Sequence, residues 1–253
     1  MARPNTYLAP LSLVFTGGAI VMLFFVILSA VTDKSPLRDT YFLQADTGDI
    51  TGARSVTQWA YFYICGEGNQ DCSGAWPAPP LGWAWSANPE NAPPTLVGAH
   101  GGDTTSTYFY YMWRFGWVFY LMSLVFMVLA FFSGFIACFG RLGSAIAGLA
   151  TLVALFFYTI AVSMMTATFV KMRDAFNASG HTATLGRWAF GFSWGSWAAL
   201  FIALVLLFVG ALSHKDNAAA GSGGGFRFGR KRDSVRSRRS YDVNGHRVKE
   251  DYA

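Results

Sequence analysis

The stretch "FGWVFYLMSLVFMVLAFFSGFIACFGRLGSAIAGLATLVALFFYTIAVSMMTATFV", residues 115–170, contains one charged side chain, Arg141. On either side of it run Phe115–Gly140 and Leu142–Val170, both free of Asp, Glu, Lys and Arg. Each run exceeds the roughly 20 apolar residues a helix needs to cross about 30 Å of hydrocarbon. A helix in a soluble core is usually shorter and keeps a polar stripe. The stretch therefore reads as two membrane spans, 112–139 and 144–170, joined by a turn at 140–143. So short a turn makes the two spans antiparallel neighbours.

Two further uncharged runs flank this hairpin, Pro4–Thr32 and the segment from Trp188 up to Lys215. They predict spans at 8–31 and 190–213. Composition agrees, with 53% hydrophobic, 17% aromatic and only 13% charged residues, about half the usual charged fraction. A cleaved signal peptide is the weaker reading of the first run. Arg3 is its one n-region charge, and its apolar part is longer than a typical h-region. The expected fold is an all-α transmembrane four-helix bundle.

Charge orients it. The net charge of +5 resides after Ser213, where ten Lys and Arg face five acids, leaving nine of each elsewhere. Lys and Arg accumulate on cytoplasmic flanks, so the tail 214–253, the N-terminus 1–7 and the 140–143 turn are expected inside. The loops 32–111 and 171–189 then lie outside. Lys171, Arg173 and Arg187 go against the rule but are outnumbered by the tail. Within the first loop, "SVTQWAYFYIC" (55–65) is rich in β-branched and aromatic residues and predicts strands. Prolines 77, 79, 80, 89, 93 and 94 then interrupt regular structure. The first outer loop should form a small extracellular antiparallel β-sheet. Trp83, Trp85, Trp113 and Trp117 are candidates for an interfacial aromatic belt; for Trp83 and Trp85, packing inside the loop is an equal alternative.

Little in the sequence carries catalysis. The span interiors hold no Asp, Glu, Lys, Arg or His, which argues against a pump or coupled transporter. His100, His181, His214 and His246 show no ligand spacing, and no phosphate loop, nucleophile elbow or carboxylate pair stands out. We expect no enzyme, no cofactor and no metal. Cys65 and Cys72, in "ICGEGNQDC" (64–72), could be a metal site, a redox pair or a structural bridge. Placed outside, they sit where disulfides persist. A metal would want two more ligands, and a redox pair more often has Cys-x-x-Cys spacing. A structural Cys65–Cys72 disulfide closing a hairpin is the expectation.

Other features are candidates for packing, modification or lipid binding. Gly191, Gly195, Ala199 and Ala203 recur every four residues, and Gly140, Ser144 and Gly148 form a second series. Small residues so spaced allow close helix approach in lipid, within the bundle or, less favoured, along a lateral homo-oligomer seam. Asn177-Ala178-Ser179 is a glycosylation sequon. Cys138 is a palmitoylation candidate, with a plain buried thiol the favoured alternative. Arg227, Arg230, Lys231, Arg232, Arg236, Arg238 and Arg239 form a polybasic run suited to anionic inner-leaflet lipid. Phosphorylation of Ser234, Ser237 or Ser240 within it would weaken such binding. Nucleic acid is not an expected partner for a membrane-tethered tail.

Three segments together carry a family resemblance. They are "YYMWRFGWVFYLMSLVFMVLAFFSGFIACFGRLG" (110–143), "FFYTIAVSMMTATFVKMRDAFNASGHTATLG" (156–186) and "WAYFYICGEGNQDCSGAWPAPP" (59–80). The first has Arg114 after its aromatic start and Cys-x-x-Arg at Cys138 and Arg141. The second places Thr166, Ala167, Arg173, Asp174 and Gly186 in the family pattern. The chain resembles the fungal Sur/PalI family of four-span, claudin-like plasma-membrane proteins.

The resemblance implies a non-enzymatic role in furrow-like eisosome compartments of the fungal plasma membrane. With it come cell-wall integrity, endocytosis and stress phenotypes, sterol- or sphingolipid-rich surroundings and a cytoplasmic coat partner. The PalI branch implies an accessory role in ambient-pH sensing, placed second because this tail is short. A claudin-like pore or barrier is a third expectation, with Asp39, Asp46, Asp49, Glu67 and Asp71 favouring cations.

Overall fold

Four long helices follow from the four uncharged runs. The computed structural model describes the backbone of residues 7–137 and 141–221 and, within it, the side chains of 7–135 and 143–212. Helix α1 covers Leu8–Ile27, α2 Thr107–Ala137, α3 Arg141–Ala178 and α4 Arg187–Gly221. All four contain segments long and apolar enough to cross a membrane. The backbone groups into one compact unit, Met1–Asp216, and a second, Asn217–Ala253, described only as helical backbone at 217–221.

With no water in hydrocarbon, every backbone polar group must be paired within the span, which an α-helix achieves. Helix α2 ends at Ala137 and α3 begins at Arg141, and these two pack extensively against each other. At 1.5 Å per residue, the 38 residues of α3 run about 57 Å, well beyond the hydrocarbon thickness. Its last turns extend past the span and carry the buried Met172 and Phe176 into a cap of sheet and loops.

The cap holds four short antiparallel strands, β1 (Leu43–Asp46), β2 (Val56–Trp59), β3 (Ile64–Cys65) and β4 (Ala183–Leu185), in the order β3-β2-β1-β4. Leu43 faces Trp59 on one side and Leu185 on the other, while Gln58 pairs with Cys65. In β1 the alternation expected of a strand is clear: Leu43 and Ala45 are buried, and Asp46 is exposed. The antiparallel sheet from the first loop is present as expected, but it is not built from that loop alone. The second loop supplies β4.

One apolar core runs from cap to bundle without a break. Phe42 stacks on Phe169 of α3 at 4.9 Å, and Trp113 of α2 meets both rings edge-on. Trp59 of β2 packs at 5.7 Å against Phe176. Such offset and edge-on geometries suit the aromatic quadrupole. These contacts answer the tryptophan question. Trp85 and Trp113 are core residues, and the indole of Trp113 donates to the Pro79 carbonyl at 2.8 Å. Trp117 is half-buried against Tyr61, whereas Trp83 is exposed beside Trp76.

Candidate functional site

The best-defined constellation lies where the cap meets the end of α1. Residues 64–72 carry little local propensity for a long strand, so β3 stops after Cys65 and the chain turns back. Cys65 and Cys72 are joined by a disulfide across this turn, with an S–S distance of 2.01 Å. Gly68 and Asn69 both take positive φ, 68° and 64°, a region open to glycine and tolerated by asparagine. Closing so short a loop removes about 2.5 kcal/mol of unfolded-state entropy in the chain-entropy model.

Asn69 anchors the closed loop. It is buried, and its Nδ2 donates to the carbonyls of Ala30 at 3.2 Å and Thr32 at 3.1 Å. Its backbone N–H donates to Gln58 Oε1 at 3.4 Å, and Gln58 Nε2 donates to Gln44 Oε1 at 2.9 Å. Asn69 Oδ1 lies 3.1 and 3.2 Å from the two sulfurs, contacts without a proton because a disulfide has none. One carboxamide thus joins the disulfide loop to the segment leaving the first span. Arg54 also reaches this loop, pairing with Asp71 at 2.9 Å. Asp71 is 82% exposed, so this pair adds little stability.

Tyr61 forms a second clamp a few residues away. Its backbone N–H donates to Ser29 Oγ at 3.0 Å, just past α1. Its hydroxyl donates to the Trp117 carbonyl at 2.6 Å, and the Trp117 indole donates to the Tyr61 carbonyl at 3.2 Å. Burial pushes the Tyr61 phenol far above its ordinary range, with the neighbouring Tyr120 adding to the rise. The group therefore stays a neutral donor. At the other edge of the cap, Gly186 donates to the Phe42 carbonyl at 2.9 Å. A Cβ there would collide with the Tyr41 carbonyl oxygen. Only glycine lets β4 pass into α4 so close to β1.

The spans are held differently. Tyr120 of α2 donates to Ser193 Oγ of α4 at 2.8 Å, and Tyr158 of α3 donates to the Ser193 carbonyl at 3.0 Å. Ser196 donates to the Ala19 carbonyl of α1 at 2.8 Å, and Ser144 to the Leu207 carbonyl at 3.0 Å. Hydroxyls of Thr151, Thr159, Thr166 and Thr168 donate one turn back along α3, at 2.7–2.8 Å. Each of these hydroxyls thereby finds an acceptor where water is absent.

The small-residue series does not form one straight seam. Gly191 faces open space, Gly195 meets Met22 Sδ of α1 at 3.2 Å from its Cβ position, Ala199 is half-buried, and Ala203 is fully buried. Steps of four residues advance 400° around a 3.6-residue helix, so the row drifts about 40° per step. Ser144 and Gly148 pack against Leu207 and Phe208 of α4. A closer approach, absent from the spacing argument, is Gly134 of α2, whose Cβ would meet Leu13 at 2.5 Å.

The remaining candidates are placed as follows. The Asn177 carboxamide accepts the Ala183 N–H at 2.9 Å, linking the end of α3 to β4. Asp46, Asp49, Glu67 and Asp71 are exposed on the cap, and Asp39 is half-buried. Arg114 lies over the Tyr110 ring at 4.3 Å, and Arg173 pairs with its neighbour Asp174 at 2.6 Å. Cys138, Gly140 and the tail residues Arg227, Arg230, Lys231, Arg232, Ser234, Arg236, Ser237, Arg238, Arg239 and Ser240 lie outside the described residues. Among the described residues no cluster of three His, Cys, Asp or Glu could hold a metal ion. The anchoring roles of Asn69, Ser29 and Tyr61 have no sequence signature beyond polarity, because their partners lie about thirty or more residues away.

Comparison with known proteins adds the family. The model of the SUR7/PalI family matches residues 8–206. The chain is 33% identical over 210 residues to SUR7 family protein FMP45 of Saccharomyces cerevisiae, covering 81% of this chain and 66% of that protein. It is 31% identical over 208 residues to Protein SUR7 of Candida albicans, covering 80% and 74%. The plasma membrane protein YNL194C of Saccharomyces cerevisiae is 28% identical over 214 residues, covering 82% and 69%. The matched region thus spans about two thirds to three quarters of these relatives' lengths. Through its spans and its cap alike, this multi-pass chain belongs to the SUR7/PalI family.

Proposed function

We propose that the protein is a non-enzymatic organiser of fungal plasma-membrane domains, the furrow-like eisosome compartment, with roles in cell-wall integrity and stress response. The supporting observation is that the family match runs through spans and stapled cap as one block, residues 8–206, and that a relative is named a plasma membrane protein. The cap lies outside and both termini are cytoplasmic. A disulfide in the cap suits an oxidising compartment, and a tail with ten Lys and Arg suits the inner leaflet.

In this reading the cap contacts neighbouring copies or the wall, and the bundle associates laterally in sterol- or sphingolipid-rich bilayer. The polybasic run, Arg227 to Arg239, holds anionic lipid or a cytoplasmic coat protein. Each basic side chain close to the surface contributes about 1 kcal/mol, so several together hold the tail at the membrane. Phosphorylation at Ser234, Ser237 or Ser240 opposes that attraction.

The test is imaging of a tagged copy in live fungal cells beside a furrow marker. Stationary patches that coincide with the marker are expected. A uniform, freely diffusing distribution under all growth conditions defeats the proposal. Topology is tested separately: a C-terminal tag should resist protease added to intact cells, and cleavage of that tag would invert the orientation.

A further inference from the structure

Beside the disulfide loop lies a cavity of about 590 Å³, within the roughly 300–1,000 Å³ of small-ligand sites. It is bordered by the segment leaving α1, with Val31 and Asp33, and by the closed loop, with Gln70 and Asp71. It therefore sits where the first span meets the cap. Arg38 and Tyr63 complete the part that matters chemically.

Three polar groups in this lining have no partner among the described residues. Among the described residues, the Arg38 guanidinium, the Tyr63 hydroxyl and the Gln70 carboxamide make no hydrogen bond or ion pair. Arg38 lies against Gly68, where a Cβ would meet Nη2 at 3.4 Å and where φ is 68°. The loop's tight turn and the guanidinium thus occupy adjoining space. Two carboxylates share the cavity. Asp71 is engaged by Arg54 at 2.9 Å, and Asp33 Oδ1 is 3.5 Å from the donor Asn69 Nδ2.

Ligand classes can be weighed against this lining. A phosphate would meet one free cation but two carboxylates, and like charges disfavour it. A simple cation would meet Arg38. A hydroxyl both donates and accepts, so a ring of hydroxyls can use Arg38, Tyr63 and the Gln70 amide as donors while donating hydrogen bonds to Asp33 and the Gln70 carbonyl. The Tyr63 ring and Val31 offer apolar surface for the C–H face of such a ring. We propose that this cavity binds a neutral hexose, presented either by a glycolipid headgroup or by a glycan chain.

The experiment uses the full chain in phosphatidylcholine nanodiscs and does not depend on cellular location, so its failure and that of the organiser reading are separable. One arm titrates soluble trisaccharides of glucose and of mannose by calorimetry. A second compares discs containing monohexosylceramide with discs containing ceramide, using native mass spectrometry. A third titrates inorganic phosphate. Saturable binding at millimolar concentration or below is expected in at least one sugar arm, and which arm responds identifies the source.

Losing one charge-assisted hydrogen bond should weaken binding about tenfold in Asp33→Ala and in Arg38→Ala. Gln70→Ala, which removes no internal bond, should weaken binding less and leave thermal stability unchanged. Asp49→Ala, on the exposed cap surface, should bind as the parent does. The proposal is overturned if neither sugar arm saturates, if phosphate binds and sugars do not, or if Gln70→Ala and Arg38→Ala both bind normally while remaining folded.

Discussion

The cap and the bundle belong to one continuous core yet are held by different forces. In the cap, Phe42, Trp59, Tyr61 and Ile64 are almost completely buried, and removing such surface from water is itself the driving force. A disulfide, a buried asparagine and strand pairing then choose one arrangement. In the bundle, Val125, Leu129 and Phe132 face outward as readily as other apolar residues face inward. Lipid is as apolar as those side chains, so burial alone gives helices no reason to associate. Close backbone approach at Gly134 and Gly195, and hydroxyls such as Ser193 and Ser196, do that work instead. The contrast is that the cap is specified by a few strong constraints and the bundle by many weak ones.

The largest test strikes the junction of the two regions. Gly186→Val places a side chain into the Tyr41 carbonyl, so β4 must leave β1 or α4 must shift. A loss of about 4 kcal/mol or more is expected, seen as failure to purify a monodisperse protein or as a large fall in melting temperature. Near-parental stability would show that cap and spans are coupled elsewhere.

Next in size is the disulfide. Cys65→Ser with Cys72→Ser should cost about 2–4 kcal/mol, confined to the cap. Hydrogen exchange should rise across 43–72 while α2 and α3 keep their protection. Labelling of both cysteines by a thiol reagent in unreduced native protein would contradict the bridge.

Asn69→Ala separates the staple from its anchor. With the disulfide intact, the Ala30 and Thr32 carbonyls lose their donor, at about 1–3 kcal/mol. Exchange at 29–33 should rise more than exchange in β1. Equal changes in both would mean that the loop and sheet move as one body.

The smallest expected effect is in the bundle. Tyr120→Phe removes the bond to Ser193 Oγ, and interhelical hydrogen bonds in membranes average about 0.6 kcal/mol. Unfolding of the detergent-solubilised protein should shift by that order, with cap exchange unchanged. A loss of several kcal/mol would show that the spans, like the cap, rest on a few dominant contacts.

Much of this architecture is legible along the chain. An 18-residue apolar run announces itself locally, and so does "SVTQWAYFYIC" as a strand former, because hydropathy and β-propensity are properties of neighbours in sequence. Strand β4 is not legible. "ATL" at 183–185 is too short to carry a pattern, and it joins the sheet because α3 and α4 deliver it beside Leu43. Helix α3 also runs eight residues beyond Val170, to Ala178, because its end packs under the sheet rather than returning to water. The small-residue row was visible as a spacing, but a straight reading of every fourth residue ignores the helix's 40° drift. Gly191 and Ala203 consequently face different surroundings.

The sequence by itself determined the four spans, the stapled turn and the location of the strand-forming segment. Those follow from the length of uncharged runs and from the reach of the six residues between two cysteines. The tertiary structure decided which glycine is indispensable, which asparagine anchors the staple, and which tryptophans leave the interface for the core. It also decided that a polar cavity stands beside the disulfide at the end of the first span. Each of these depends on partners tens of residues distant, and the physical reason is common to all: steric collision, desolvation and hydrogen-bond satisfaction are set by distance in space, which local composition does not encode.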